Sequence, residues 1–257
     1  MEFVVVYSPE MKESNLAVCR RLYGFEKALK ELGIEYKEPE ILEFDEELLY
    51  QIHSREMIDK SKKFFAFKAT FKSAWCVYTA VKLLDEYDLA IVATAGTGHN
   101  AMRDRFRGYS FINDVNLAIS IMKDSMPRIA VIDTDIHHGD GVFEYAAYND
   151  NISIFCFCNR EESHESKICR HVSKLEDEID SVFEDAGSHD ALIWYLGQDA
   201  FEELHEQSFD EKCLERIARK IRELGTKTRI KTLIILSGGV DSEVTERISK
   251  KIFSVLI

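Results

Sequence analysis

Arg128-Ile-Ala-Val-Ile-Asp133-Thr-Asp135-Ile-His137-His138-Gly139-Asp140-Gly141 begins with an unbroken apolar run, Ile129 to Ile132, and ends in a dense group of carboxylates and imidazoles. A short aliphatic run without polar alternation reads as a strand buried on both faces, as in a parallel sheet. If the strand geometry persists, its period of two sends the side chains of Asp135 and His137 to the same side at the carboxyl end. Carboxylate oxygen and imidazole nitrogen suit zinc, and a third such ligand from another strand end would leave the fourth position open for water. Iron, cobalt or manganese would accept the same donors. Asp133 lies two residues further back on that face, placed to orient a neighbouring imidazole. Gly139 and Gly141 let the chain turn sharply and start a helix. An ordinary polar strand-to-loop junction is the plain alternative, but four ionisable side chains within residues 133–138 are unfavourable there unless paired or metal-bound.

The chain offers two further strand ends with suitable residues. Strand 88–93 runs into Thr94-Ala-Gly96-Thr-Gly98-His99-Asn100, whose glycines let the loop approach the strand ends and bring His99 to the same crevice. Strand 191–196 ends in Gly197-Gln198-Asp199; alone, Asp199 would read as a helix cap, but beside Asp135 and His137 it reads as the third ligand. Other strands are expected at 3–7, 152–157 and 232–236, and helices at 14–32, 45–63, 70–85, 111–122, 141–148, 173–185, 210–224 and 243–256. No linker interrupts them. The expected fold is a single α/β domain over 1–257, with three α/β/α layers and a mostly parallel sheet.

Several residues carry bland readings. His53 is expected on the surface or in packing, and the aromatic stretch 64–75 in the core. Arg103, Arg105 and Arg107 read as a solvated rim, with a contact for an anionic part of a substrate or for nearby Asp side chains as the sharper reading. The charged run 159–172, with His164 and His171, is expected to face solvent. The six cysteines read as reduced, buried hydrophobes; Cys156 and Cys158 alternate as a metal pair would, but no second pair stands at finger spacing.

A length of 257 residues and 46% hydrophobic content suffice for a substantial core, while only three prolines argue against disordered tracts. The formal charge of −13 argues against a general nucleic-acid binder. With no apolar stretch of membrane-spanning length, and with Met1-Glu2-Phe3 running directly into a strand, the chain is expected to be soluble and cytoplasmic, with no membrane partner. Composition leaves the oligomeric state open.

Ser237-Gly238-Gly239-Val240-Asp241-Ser242 resembles the pyrophosphate loop of ATP pyrophosphatases, but in that family the loop follows the first strand of a nucleotide-binding domain, and here fifteen residues follow Ser242. The larger resemblance is to the histone deacetylase family, with its arginase-like fold and its acetylpolyamine amidohydrolase, bacterial and archaeal relatives. It is carried by Tyr7-Ser8-Pro9, Ile52-His53-Ser54-Arg55-Glu56 and, most specifically, Asp133-Thr-Asp135-Ile-His137-His138-Gly139-Asp140-Gly141. The resemblance implies that Asp135, His137 and Asp199 are zinc ligands and that Asp133 holds the first active-site histidine, His99. It implies that Gly108 and Tyr109 line a channel for an acyl-lysine-like substrate and that Asn113-Asp114 belongs to the pattern. It also implies a structural potassium ion near the backbone of Asp133, Asp135, His137 and Ser153.

Three departures accompany it. His99-Asn100 stands where the family has two histidines, so the base position is empty and Asp140 is expected to face an asparagine. Val240 stands where a tyrosine helps stabilise the oxyanion, and it has no donor to offer. The Pro-Gly-Thr-Gly loop after strand 152–157 is absent, and the chain is short for the family, so a reduced channel wall is expected. The readings that follow are a divergent zinc amidohydrolase acting on an N-acyl amide, a metal-binding pseudoenzyme or binding protein, or a metal-dependent hydrolase of another small molecule.

Overall fold

The strand begun by the apolar run at 129 extends one residue further than expected, to Asp133, and every residue of it is buried. In the computed structural model, which describes residues 1–14, 16–107, 110–158, 169–171, 175–201 and 210–257, this strand lies inside a seven-stranded sheet. The strands are β1 (Phe3–Val6), β2 (Leu89–Ala93), β3 (Ile129–Asp133), β4 (Ile152–Cys156), β5 (Cys169–His171), β6 (Ala191–Gly197) and β7 (Lys231–Ser237). Their order is β1-β2-β7-β6-β3-β4-β5, and every neighbouring pair is parallel. Parallel pairing requires a crossover after each strand and puts all carboxyl ends on one edge.

The helices are α1 (Arg21–Leu32), α2 (Leu49–Ile52), α3 (Arg55–Ser61), α4 (Phe67–Leu83), α5 (Asp114–Met122), α6 (Asp140–Ala146), α7 (Leu175–Ala186), α8 (Glu211–Thr228) and α9 (Ser242–Leu256). In one layer α1 packs on α9, α9 on α8 and α8 on α7; in the other α4 packs on α5 and α5 on α6. The arrangement is a three-layer α/β/α fold. The apolar core runs through the sheet, and a second cluster, including Ile52, Met57, Phe67, Phe111 and Leu117, packs beneath the α2–α3 segment. No helix among the described residues is long and apolar enough to cross a membrane.

Two expectations need correction, and a third segment gains a strand. The helix expected over 45–63 breaks at His53, whose backbone is extended (φ −130°, ψ 153°), after which Ser54 caps α3 by accepting the Met57 N–H. The break serves the imidazole, which is buried and bonded at both nitrogens: Nδ1–H donates to Met102 O at 2.8 Å, and Nε2 accepts Asn113 N–H at 3.0 Å. The helix expected over 14–32 starts at Arg21, after 3-10 turns at Pro9–Ser14 and Ala17–Cys19, and ends at Gly33 with φ 66°. In the charged run, Cys169–His171 forms β5 on β4, while His164 lies outside the described residues. The cysteines Cys19, Cys76, Cys156, Cys158 and Cys213 are free and buried.

Candidate functional site

At the carboxyl edge of the sheet, β3 and β6 lie side by side with Asp133 opposite Tyr195. Beyond them the chain turns, and Asp135, His137 and Asp199 converge so that one ligand atom from each lies within 4.8 Å of the others. His137 Nδ1 is 3.0 Å from both Asp135 Oδ1 and Asp199 Oδ2. The carboxylates are buried, whereas the His137 side chain is 63% exposed and closes the cluster from the solvent side. Hydrogen bonds to Asp135 and Asp199 raise the His137 pKa to about 10, so its proton occupies the place a cation would take. Burial and the nearby Asp135 push the Asp199 carboxyl up.

The cluster needs room that only glycine leaves. A Cβ on Gly197 would lie 2.3 Å from Asp135 Cα, and one on Gly238 would lie 2.5 Å from Asp135 Oδ2 and 3.1 Å from Asp199 Oδ1. Gly238 also has φ +63°, a conformation that disfavours a side chain. The strand ends therefore close around the two carboxylates. Asp199 Oδ1 is buried without a hydrogen-bond partner among the described residues, an arrangement unfavourable unless another charge completes it. Two carboxylates and an imidazole at this spacing form a donor set capable of coordinating a divalent metal.

His99 stands next to this cluster, fully buried in the 3-10 turn Gly98–Asn100 after β2. Its Nδ1–H donates to Asp133 Oδ2 at 2.9 Å, and Nε2 points 3.8 Å from Asp135 Oδ1 with no hydrogen-bond partner among the described residues. Asp133 Oδ1 accepts the Asp135 N–H, so one carboxylate orients both the imidazole and the cluster loop. Burial opposes a charge on His99, but Asp133, Asp135 and Asp199 together overcome it and raise the pKa to about 9.

The remaining expected residues fare differently. Asp140 Oδ1 accepts His138 Nδ1–H at 2.8 Å, and Arg107 Nη1 lies 3.5 Å from Oδ2. Arg107 thus combines the two readings of the rim arginines, an exposed side chain that also reaches an Asp carboxylate. Asn100 is half-buried, and Val240 is 44% exposed beyond β7. Gly108 and Tyr109 lie outside the described residues. Ser153 does not join Asp133: it pairs with Ala130 and its hydroxyl bonds His189 Nε2 at 2.8 Å, while Cys156 stands opposite Asp133. The register thus sets Cys156, and not Ser153, beside the Asp133 backbone where a potassium ion is expected.

Sequence reasoning missed Arg21 and Tyr195. Fully buried, Arg21 donates to Gly239 O at 2.9 Å, Thr94 O at 2.7 Å and Gly96 O at 2.5 Å, tying the loop after β7 to the loop after β2. An arginine on an amphipathic helix carries no signal of this. Tyr195 lies against the His99 ring, but in an apolar strand it reads as core.

Residues 57–164 match the family model described as Histone deacetylase domain. Among curated proteins, Histone deacetylase B of Dictyostelium discoideum is 38% identical over 71 residues, which are 28% of this chain and 17% of that protein. Histone deacetylase 1 of Homo sapiens is 37% identical over 81 residues, 32% of this chain and 17% of the human protein. Histone deacetylase 1 of Oryza sativa subsp. japonica is 38% identical over 78 residues, 30% of this chain and 15% of the rice protein. The chain thus matches about a sixth of the length of these relatives. Over residues 57–164 the chain is thus similar to a histone deacetylase domain, and the parallel α/β/α architecture is consistent with an arginase/deacetylase-like fold. The matched segment contains His99, Asn100, Asp133, Asp135, His137 and Asp140, whereas Asp199 and Val240 lie beyond it.

Proposed function

We propose that the chain is a divergent divalent-metal amidohydrolase, zinc being the preferred ion, which cleaves the N-acyl bond of an acetyl-lysine-like or acetylpolyamine-like small substrate. One observation carries the reading: the Asp135–His137–Asp199 donor set lies beside the open Nε2 of a histidine whose Nδ1 is held by Asp133. Bound there, the ion supplies Lewis-acid polarisation of the scissile carbonyl. His99 Nε2 takes the proton of the attacking water and returns it to the leaving amine, while Asp133 fixes the tautomer and stabilises the imidazolium. Its pKa of about 9 belongs to the field of three bare carboxylates. With Asp135 and Asp199 neutralised by a cation, that field falls towards that of Asp133 alone, and His99 becomes a neutral base near physiological pH.

The oxyanion is less well served. Val240 has no donor, and the absence of one such hydrogen bond costs about 3 kcal/mol of transition-state stabilisation. The expected result is slow or undetectable turnover of plain acetyl-lysine peptide by metal-loaded protein, and measurable turnover of its trifluoroacetyl analogue, whose activated carbonyl depends less on that donor. Replacing His99 by alanine should abolish the activity and leave metal content nearly intact. A native rate on the plain peptide typical of enzymes, about 10 per second, would contradict the assignment to Val240. A second reading is favoured by Asn100, an amide that cannot act as a base, and by the pairing of Asp140 with His138: a metal-binding pseudoenzyme that recognises an acyl-amine ligand without cleaving it. Binding of both peptides without hydrolysis of either, in metal-loaded protein, would select it. A substrate of another small-molecule class would appear as turnover on neither peptide but on some member of a wider N-acyl amine panel.

A further inference from the structure

His99 is confined more closely than its bond to Asp133 requires. Its ring lies nearly parallel to that of Tyr195, with centroids 4.5 Å apart and planes inclined by 17°, and both residues are fully buried. Near its edge is Gly139, where a Cβ would come within 3.0 Å of His99 Nδ1. Tyr195 is the β6 residue opposite Asp133, so the platform under the imidazole and the acid that holds it are register partners. The tyrosine hydroxyl donates to Ser237 Oγ at 2.7 Å, and Ser237 Oγ donates to Gly96 O at 2.7 Å, three residues before His99. Arg21 reaches the same Gly96 carbonyl and also Gly239 O. The ring, the loop that carries His99 and the loop that carries Val240 are thereby joined.

A single hydrogen bond from Nδ1 selects one ring orientation but leaves the torsion about Cβ–Cγ soft, because the well for an aromatic ring is broad. A flat, anchored face removes that freedom. We propose that Tyr195 is a positioning residue for His99: its ring fixes the imidazole plane so that Nδ1 meets Asp133 while Nε2 faces the donor cluster, and its hydroxyl ties that plane through Ser237 to the glycine loop. The inference rests on the reading of His99 as the base, but it concerns geometry that is measurable without turnover.

The test is NMR of histidine-labelled protein, following the His99 Nδ1–H proton and the ring-current shift of its carbon-bound protons. Native protein should show an upfield-shifted ring proton and a slowly exchanging Nδ1–H; Tyr195→Phe, which keeps the face but loses the Ser237 anchor, should keep the upfield shift and speed Nδ1–H exchange less than the loss of the face does. Tyr195→Met and Tyr195→Leu remove the face while leaving different volumes, so a folding failure in one leaves the other to decide. Either should erase the upfield shift and speed Nδ1–H exchange on the order of tenfold, the scale of one lost aromatic contact. Zinc affinity should stay close to native in all three variants. Native-like His99 signals in the Met or Leu variant would overturn the proposal. So would a Phe variant as perturbed as Leu, or loss of zinc binding in parallel with the His99 signals, since either would mark a general structural role. If the signals follow the proposal in a protein that hydrolyses nothing, the positioning role stands and the hydrolase reading falls.

Discussion

His137 Nδ1 shares its proton between Asp135 and Asp199, and its pKa is raised to about 10. A metal must displace that proton, so the apparent zinc affinity should rise by about tenfold per pH unit between about pH 6 and 8. Competition with a chelator across that range checks it; a flat profile would mean that His137 is not a ligand. At His53 the sign is opposite. Burial lowers its pKa to about 4 against the Met102 bond, because protonated Nε2 would point its hydrogen at the Asn113 N–H. Between about pH 4 and 6.5 the unfolded chain binds the proton that the folded chain refuses, so stability is lost as pH falls through that window, by roughly 3 kcal/mol in all. Urea unfolding of native protein and of His53→Gln should therefore differ in acid slope, the variant being flatter. Residues of this kind divide by how local their signal is. Asp135, His137 and Asp199 were legible because acids and imidazoles are unfavourable at apolar strand ends without a charge to meet. The partner of Asp140 was not legible, because a bond to His138, two residues away, is set by the turn after β3 and not by residue type. Tyr195 is silent in sequence because its function is a contact between strands.

The elements set how tightly the site closes. β6 ends in Gly197, opposite Ser237 of β7, and Gly197 and Gly238, the residue after β7, both lie against Asp135. Gly197→Ala should displace Asp135, destabilise the fold by about 1–3 kcal/mol through overpacking and abolish tight zinc binding. Calorimetric titration with zinc, alongside thermal unfolding, checks this; native affinity in a folded Ala variant would show that the strand ends do not shape the cluster. Strands were the most legible elements, since a buried parallel strand announces itself by an apolar run. Helix starts were less so. The periodicity through 45–63 is real on both sides of His53, yet a buried imidazole that must reach Met102 and Asn113 overrides it. The residues after Ser14 likewise look helical but form 3-10 turns before α1.

At the scale of the whole molecule, the sheet order brings the ends of β2, β3, β6 and β7 together, so His99, Asp135, Asp199 and Gly238 meet although they span 140 residues of chain. The histone deacetylase domain match ends at residue 164, and the third donor comes from the 3-10 turn after β6, beyond it. Parallel topology rather than local similarity therefore completes the cluster. The central claim is that Asp135, His137 and Asp199 together hold one divalent ion. The most direct measurement is an anomalous difference map at the zinc edge from crystals grown with zinc. One peak is predicted, at ~2.0–2.2 Å from an oxygen of Asp135, an oxygen of Asp199 and His137 Nδ1. A map with no peak at that point, or with Asp199 turned away from the other two residues, would contradict the account.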